Sequence, residues 1–400
     1  MSLNETVSAQ RVHIGFFGMR NAGKSSLVNA VTGQALAVVS PIKGTTTDPV
    51  KKAMELLPLG PVVIIDTPGL DDEGALGEMR VKKAKEVLAH TDIAVLVVDA
   101  TCGLTPGDEA LRTLFKKKEL PYIVAYNKAD LVGKRPPIGE DGLYVSAATG
   151  ENIALFKERL GAFANRAGAE KRFVADLLAP GDVVALVIPI DEAAPKGRLI
   201  LPQQQVMRDI LDAHCAFIAC QDTELRATLA AMGRKPGLVI TDSQAFARVA
   251  ADTPEDVMLT SFSILMARYK GNLGELVKGA AQLSRLKTGD RVLISEGCTH
   301  HRQCSDIGTV KLPGWIEGFT GVKPEYTFTA GGEFPEELSG YDLIVHCGGC
   351  MLNEKEMQHR IARAVGAGVP IVNYGVAIAH MHGILKRSLQ PFPGMLALLP

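Results

Sequence analysis

The chain is 400 residues long, with 43 Lys and Arg against 44 Asp and Glu, a net charge of −1, and 46% hydrophobic residues. Such a length accommodates two to three domains, each able to bury a core. The even charge balance excludes a broadly basic nucleic-acid surface, and no apolar run approaches the roughly 20 residues that span a bilayer, so neither nucleic acid nor membrane is expected as a partner.

Met1–Arg11 is polar, so no signal peptide is expected and the chain is expected in the cytoplasm. From Arg11 to about Asn165, apolar runs alternate with helical stretches. Strands are predicted at Val12–Phe17, Val62–Asp66, Ile93–Asp99, Tyr122–Tyr126 and Gly142–Val145. This is the pattern of an α/β fold with a mostly parallel sheet, whose ligands lie at the carboxyl ends of the strands. A charged stretch, 157–171, reads as the last helix and a linker.

A second α/β unit follows, with strands at Val183–Ile190, Ala216–Cys220 and Leu238–Thr241 and helices within 203–214 and 227–232. A third opens with helical spacing over 273–286 and has strands at Arg291–Ser295, Leu343–His346 and Pro370–Asn373. Three domains are expected, at 1–168, 169–263 and 264–400. Gly-Asp at 181–182 and again at 289–290 precedes an apolar strand each time. Beyond that echo no repeat, heptad or low-complexity tract is evident.

The first strand runs into Gly18-Met-Arg-Asn21-Ala22-Gly23-Lys24-Ser25, followed by helical spacing from Ser26. Its glycines let backbone N–H groups converge on phosphate oxygens. Lys24 would reach the β- and γ-phosphates, Ser25 would bind Mg2+, and the helix N-terminus favours the anion. Four further motifs follow in order. In Gly44-Thr45-Thr46-Thr47-Asp48 a threonine, Thr46 by preference, would complete the Mg2+ shell. In Asp66-Thr-Pro-Gly69, Asp66 would hold Mg2+ through water and the Gly69 N–H would sense the γ-phosphate. In Asn127-Lys128-Ala-Asp130, Asp130 can accept from guanine N1–H and N2–H2, which adenine cannot offer. Ser146-Ala147 would present a backbone N–H to guanine O6. The order selects GTP, with Lys24, Ser25, Thr46, Asp66 and Gly69 as the hydrolytic set.

Residues 11–165 thus resemble a GTPase of the Era/TrmE type. The likeness implies slow unassisted hydrolysis, because Leu70 stands where Ras-like enzymes carry a water-orienting glutamine. It also implies K+ binding at Asn21.

The seven cysteines are Cys102, Cys215, Cys220, Cys298, Cys304, Cys347 and Cys350, an odd and uneven set that reads as thiols or ligands, not a disulfide framework. Cys298-Thr-His300 and His346-Cys347-Gly-Gly-Cys350 are separated by 45 residues, and each follows a predicted strand. Two loops at one sheet edge can converge on a metal. Cys298, Cys347 and Cys350 are the candidate ligands. His300 and His346 either join them or hydrogen-bond a thiolate, and Cys304 is a spare. Spacing alone leaves zinc and iron–sulfur both open.

In combination with the GTPase motifs, this signature resembles the FeFe-hydrogenase maturation GTPases over the whole chain. The resemblance implies a 4Fe–4S cluster on Cys298, Cys347 and Cys350 with a weakly held fourth position. Asp191, in the segment Pro189–Arg198, is a candidate to approach it. It also implies a middle domain that dimerises, and radical-SAM maturases and apo-hydrogenase as partners. The function expected is a scaffold and carrier for a di-iron precursor with GTP as a switch of partner association. A zinc-stabilised GTPase acting on RNA or the ribosome is the alternative; a redox enzyme regulated by GTP lacks a radical-SAM or dinucleotide motif.

Overall fold

A computed structural model describes residues 11–33, 50–67, 84, 86–167, 171–190, 199–297 and 307–399. The chain divides into two units, Met1–Glu170 and Lys171–Pro400.

In the first unit the chain runs β1 (Val12–Phe17), α1 (Lys24–Thr32), β2 (Val50–Leu56), β3 (Gly60–Asp66), β4 (Ile93–Asp99), α2 (Pro106–Lys117), β5 (Tyr122–Asn127), β6 (Gly142–Tyr144) and α3 (Ile153–Ala167). The sheet order is β2-β3-β1-β4-β5-β6, parallel throughout except for β2 against β3. Alternation along β3 explains why both faces are covered. Val62 and Ile64 pack with Leu27, Phe156 and Leu160 on one side, and Val63 and Ile65 with Leu111 and Phe115 on the other. Helix α2 starts sharply because Thr105 and Asp108 form a reciprocal capping box ahead of Pro106. Strand β2 has no counterpart in the sequence reading. Its exposed Lys51 and Lys52 mask the strand signal while guarding a sheet edge.

The second unit holds β7 (Val183–Val187), α4 (Leu201–Asp212), β8 (Ala216–Cys220), α5 (Leu225–Ala231), β9 (Leu238–Thr241), α6 (Phe246–Asp252), β10 (Met258–Ser261), α7 (Phe262–Lys270) and α8 (Leu273–Ala280). Then come β11 (Arg291–Ser295), α9 (Leu312–Thr320), β12 (Glu325–Thr329), β13 (Leu343–His346), α10 (Glu354–Gly366), β14 (Ile371–Asn373) and α11 (Tyr374–Met381). Two four-stranded sheets result, β10-β9-β7-β8 and β12-β11-β13-β14, both wholly parallel. In each, the first two strands in chain order lie side by side, so the unit is built from two α/β halves of the same strand order.

The Gly-Asp echo is the visible trace of that relation. Gly181 and Gly289 sit at φ 89° and 88°, just before the opening strands β7 and β11. Asp182 Oδ2 accepts from the Ala179 amide at 2.8 Å, and Asp290 Oδ2 from the Lys287 amide at 2.9 Å. The same aspartate-closed turn launches both sheets. A single apolar core joins them, from Phe173 to Phe392. Helix α7 spans the expected domain boundary at 263–264 and buries Phe262, Ile264, Leu265 and Met266 in that core.

Candidate nucleotide and cluster sites

In the first sheet β1 lies between β3 and β4. The chain therefore leaves β1 toward one side and later returns to the other, which opens a crevice at the carboxyl end of β1. The turn from Gly18 to Gly23 and the start of α1 fill this place. Glycine is needed at both ends of the turn. A Cβ on Gly18, whose φ is 142°, would stand 2.2 Å from the Val97 carbonyl oxygen, and one on Gly23 would stand 2.3 Å from Asn127 Nδ2.

Lys24 is buried, and its Nζ donates to the carbonyl oxygens of Gly18 at 3.0 Å and Met19 at 2.9 Å. Ser25 Oγ donates to Asp66 Oδ2 at 2.7 Å. Asp66 Oδ1 is buried and has no partner among the described residues. Burial pushes the Asp66 carboxyl above its ordinary value, against the Ser25 hydrogen bond and the Lys24 charge. A hydroxyl and an orphaned carboxylate oxygen side by side are the hard-oxygen donors that Mg2+ takes, so the residues present fit that ion.

Asn127, 2% exposed, fastens the base side to the phosphate side. Its Nδ2 donates to the Ala22 carbonyl at 3.1 Å, and its Oδ1 accepts from the Ala147 amide at 3.0 Å. Ser146 Oγ donates to Asp130 Oδ1 at 2.6 Å and accepts from the Thr149 amide at 3.1 Å, so the carboxylate is aimed by its neighbour. Lys128 reaches Asp99 Oδ2 at 2.5 Å. Against the cost of burial, Lys128 and Thr101 hold the Asp99 carboxyl below its usual range. Asp99 was not singled out in the sequence; its place at the end of an apolar strand was the only signal.

Gly18, Asn21, Ala22, Gly23, Asp66, Asn127, Lys128, Asp130, Ser146 and Ala147 lie at the carboxyl ends of β1, β3, β5 and β6 or in the segments that follow, and Lys24, Ser25 and Ser26 form the first turn of α1. Thr45, Thr46 and Gly69 lie outside the described residues.

The second site is at the corresponding edge of the last sheet. Strand β11 is flanked by β12 and β13, so the switch between the two sides falls at the carboxyl ends of β11 and β13. Register brings Ser295 opposite His346, and the Cys347 amide donates to the Ser295 carbonyl at 2.9 Å. Cys347 Sγ accepts from the amides of Gly297 at 3.0 Å and Gly349 at 3.4 Å. Two backbone donors on one sulfur suit a thiolate, whose charge they stabilise. Burial pushes the Cys347 thiol up to about 11, these amides notwithstanding, and also raises Cys350, against the charge of Lys270.

Cys298, His300 and Cys304 lie outside the described residues, as does Asp191. Gly297 is the residue before Cys298, so β11 delivers the chain to the Cys347 sulfur just ahead of that position. Among the described residues no group of three or more His, Cys, Asp or Glu could hold a metal. The described donor set is the pair Cys347 and Cys350, both without a disulfide, which suits a thiolate-bound metal or cluster.

His346, expected as a candidate ligand or thiolate partner, is fully buried and has both ring nitrogens occupied. Its Nδ1 stands 2.8 Å from the Cys347 carbonyl oxygen, and its Nε2 stands 3.1 Å from Arg360 Nη1. A carbonyl can only accept and a guanidinium can only donate, so the ring is the neutral Nδ1–H tautomer. Burial first, then the Arg360 charge, pushes its pKa down to about 3. Metal ligation through Nε2 would have to displace Arg360, which is wholly buried and held by Glu356 Oε1 and the Gly331 carbonyl, each at 2.7 Å.

Comparison with known proteins gives three family matches along the chain. Residues 173–271 match the hydrogen maturase F dimerization domain, residues 274–391 match the hydrogen maturase F tetramerization domain, and residues 13–128 match a family described as a 50S ribosome-binding GTPase. The tRNA modification GTPase MnmE of Nitrosomonas eutropha is 32% identical over 168 residues, 39% of this chain and 37% of that protein. MnmE of Paraburkholderia xenovorans is 34% identical over 167 residues, covering 40% and 36%. This chain thus spans little more than a third of the length of those relatives. Among solved structures, a probable GTP-binding protein engB shares 25% identity at a TM-score of 0.31, over 39% of this chain and all of that one. An Aquifex aeolicus Era variant bound to GDP.AlF4- shares 18% at 0.34, over 81% and 94%.

Proposed function

Because this chain belongs to the hydrogen maturase F family, we propose that it is a GTP-hydrolysing scaffold and carrier that holds a 4Fe–4S cluster and delivers a di-iron subcluster precursor to apo FeFe-hydrogenase. One observation carries the reading: a GTPase-family match and both hydrogen maturase F domains lie on a single chain.

In the GTPase unit, Lys24 turns from the Gly18 and Met19 carbonyls to the β- and γ-phosphates, exchanging neutral acceptors for charged ones. Ser25 and Asp66, with Thr46, would hold Mg2+, which would supply neutralisation of the phosphate charge. The Gly69 amide senses the γ-phosphate, and Asp130 reads guanine with the Ala147 amide on O6. With Leu70 in place of a water-orienting glutamine, hydrolysis is slow, and K+ bound at Asn21 stimulates it. Nucleotide state acts on partner association through segments 44–48 and 66–70.

At the other site Cys298, Cys347 and Cys350 would hold the cluster, which would supply an exchangeable point of attachment for cargo. Asp191, His300, water or an incoming ligand would complete its ligand set. His346, engaged on both nitrogens, orients the turn. The domains are 1–168 for GTP, 169–263 for dimerisation and 264–400 for the cluster. Strand β8 supports self-association, since it is a sheet edge whose apolar Ile218 is 39% exposed. Radical-SAM maturases supply the precursor.

The test is anaerobic reconstitution with iron and sulfide. The reduced protein should give a cubane EPR signal that Cys298→Ala abolishes, while Lys24→Ala abolishes GTP hydrolysis and leaves the signal intact. Zinc without cluster would instead favour the RNA-directed reading.

A further inference from the structure

Lys270, the last residue of α7, is 2% exposed. Its Nζ donates to the carbonyl oxygens of Leu352 at 2.7 Å, Cys350 at 3.0 Å and Gly349 at 3.4 Å. All three belong to the turn that carries Cys347 and Cys350. No described carboxylate is in ion-pair contact with it. Glu354, a described carboxylate whose charge acts on it, is already paired with Lys171. A buried ammonium compensated only by neutral carbonyls is costly, and buried charges in proteins are as a rule paired with an opposite charge or a metal group. The groups that could supply that opposite charge here are the two sulfurs on the same turn.

We propose that Lys270 is the electrostatic partner of the thiolate-bound metal group on the Cys347–Cys350 turn, a positioning residue that brings a positive charge against that turn. This rests on the reading of Cys347 and Cys350 as metal ligands. The chemistry is asymmetric. A thiolate-ligated iron–sulfur cluster is anionic and gains one more negative charge on reduction, so a nearby cation favours the reduced form. Zinc bound by thiolates would be stabilised by the same charge, though it has no redox step. The charge comes from a helix that follows the last strand of the β7–β10 half, while the cysteines come from the β11–β14 half. The site is therefore incomplete without both halves.

The test compares Lys270→Gln, which retains an N–H donor and loses the charge, with Lys270→Arg, which retains both, in the full-length protein. The EPR-monitored potential of the reconstituted cluster and the zinc affinity of the metal-free protein, by competition with a chromophoric chelator, are the two readouts. Lys270→Gln should lower the reduced-to-oxidised ratio at the wild-type midpoint about tenfold, roughly 59 mV for one electron. It should weaken zinc about tenfold, and Lys270→Arg should restore both. Wild-type values in Lys270→Gln would overturn the proposal. So would loss of folding in metal-free Lys270→Gln, because relieving an uncompensated buried charge should not unfold the protein, and such a result would make Lys270 a structural pin. A wild-type protein that takes zinc but no cluster would refute the cluster reading alone, and the zinc arm would still decide this one.

Discussion

The Arg360 guanidinium donates to Nε2 of His346 at 3.1 Å, while Nδ1–H of the same ring reaches the Cys347 carbonyl at 2.8 Å. A histidine placed beside a cysteine pair by sequence is thereby turned into the strut between a buried arginine and the backbone of the turn that carries Cys347 and Cys350.

Electron spin-echo spectroscopy of the reduced cluster should therefore show no strongly coupled nitrogen that disappears in His346→Gln. Arg360→Met would leave Glu356, 4% exposed, as a buried carboxylate stripped of its arginine. A loss of about 3–5 kcal/mol in urea unfolding is expected, as for other broken buried pairs. A persistent His346 nitrogen coupling would reverse the assignment of its role.

Asn127 joins the phosphate turn to the Ala147 loop through both ends of its amide. Asn127→Ala strands a buried carbonyl and a backbone amide. It should cost about 1–3 kcal/mol in stability and weaken GTP binding more than tenfold, measured by titration calorimetry. Unchanged affinity would show that the two loops hold their places independently.

Asp130 is aimed by Ser146 at 2.6 Å. Asp130→Asn replaces an acceptor with a donor where guanine presents N1–H and N2–H2. GTP affinity should fall by a factor of ten or more, while xanthosine triphosphate, which offers a carbonyl at the 2-position, should gain. Equal loss for both nucleotides would mean that the carboxylate acts only on loop structure.

Asp141 accepts from Arg112 Nη2 at 2.7 Å and from the Tyr122 hydroxyl at 2.9 Å. Although burial works the other way, Tyr122 and Arg112 hold its carboxyl below the ordinary value of 3.8. A group depressed on folding contributes stability above its unfolded pKa and loses it as pH falls through the folded value. The thermal midpoint of the GTPase unit, followed by calorimetry on the whole chain, should therefore drop below about pH 4. Asp141→Asn should lower the midpoint at pH 7 and flatten that acid limb. A variant with the wild-type acid profile would move the origin of the limb elsewhere.

The GTPase half was legible because its chemistry is local. Gly18 to Ser25 is one contiguous turn, and Asp66, Asn127-Lys128-Ala-Asp130 and Ser146-Ala147 each follow an apolar run, so period and motif coincide. A parallel sheet then has to bring those strand ends to one edge. The lysine-marked edge strand β2 escaped, as did the short strands β10 and β12, because four to seven residues at a sheet margin carry little apolar alternation.

What residue order determined on its own was the inventory: a guanine nucleotide site, a cysteine pair able to take a metal, and alternating α/β units. Tertiary structure decided how that inventory is wired. Only the register of β11 with β13 sets Gly297 against the Cys347 sulfur, only packing brings Lys270 from α7 under a turn 80 residues later, and only burial makes His346 a neutral acceptor for Arg360. Such contacts join distant positions through shared exclusion of water, and no local periodicity encodes them.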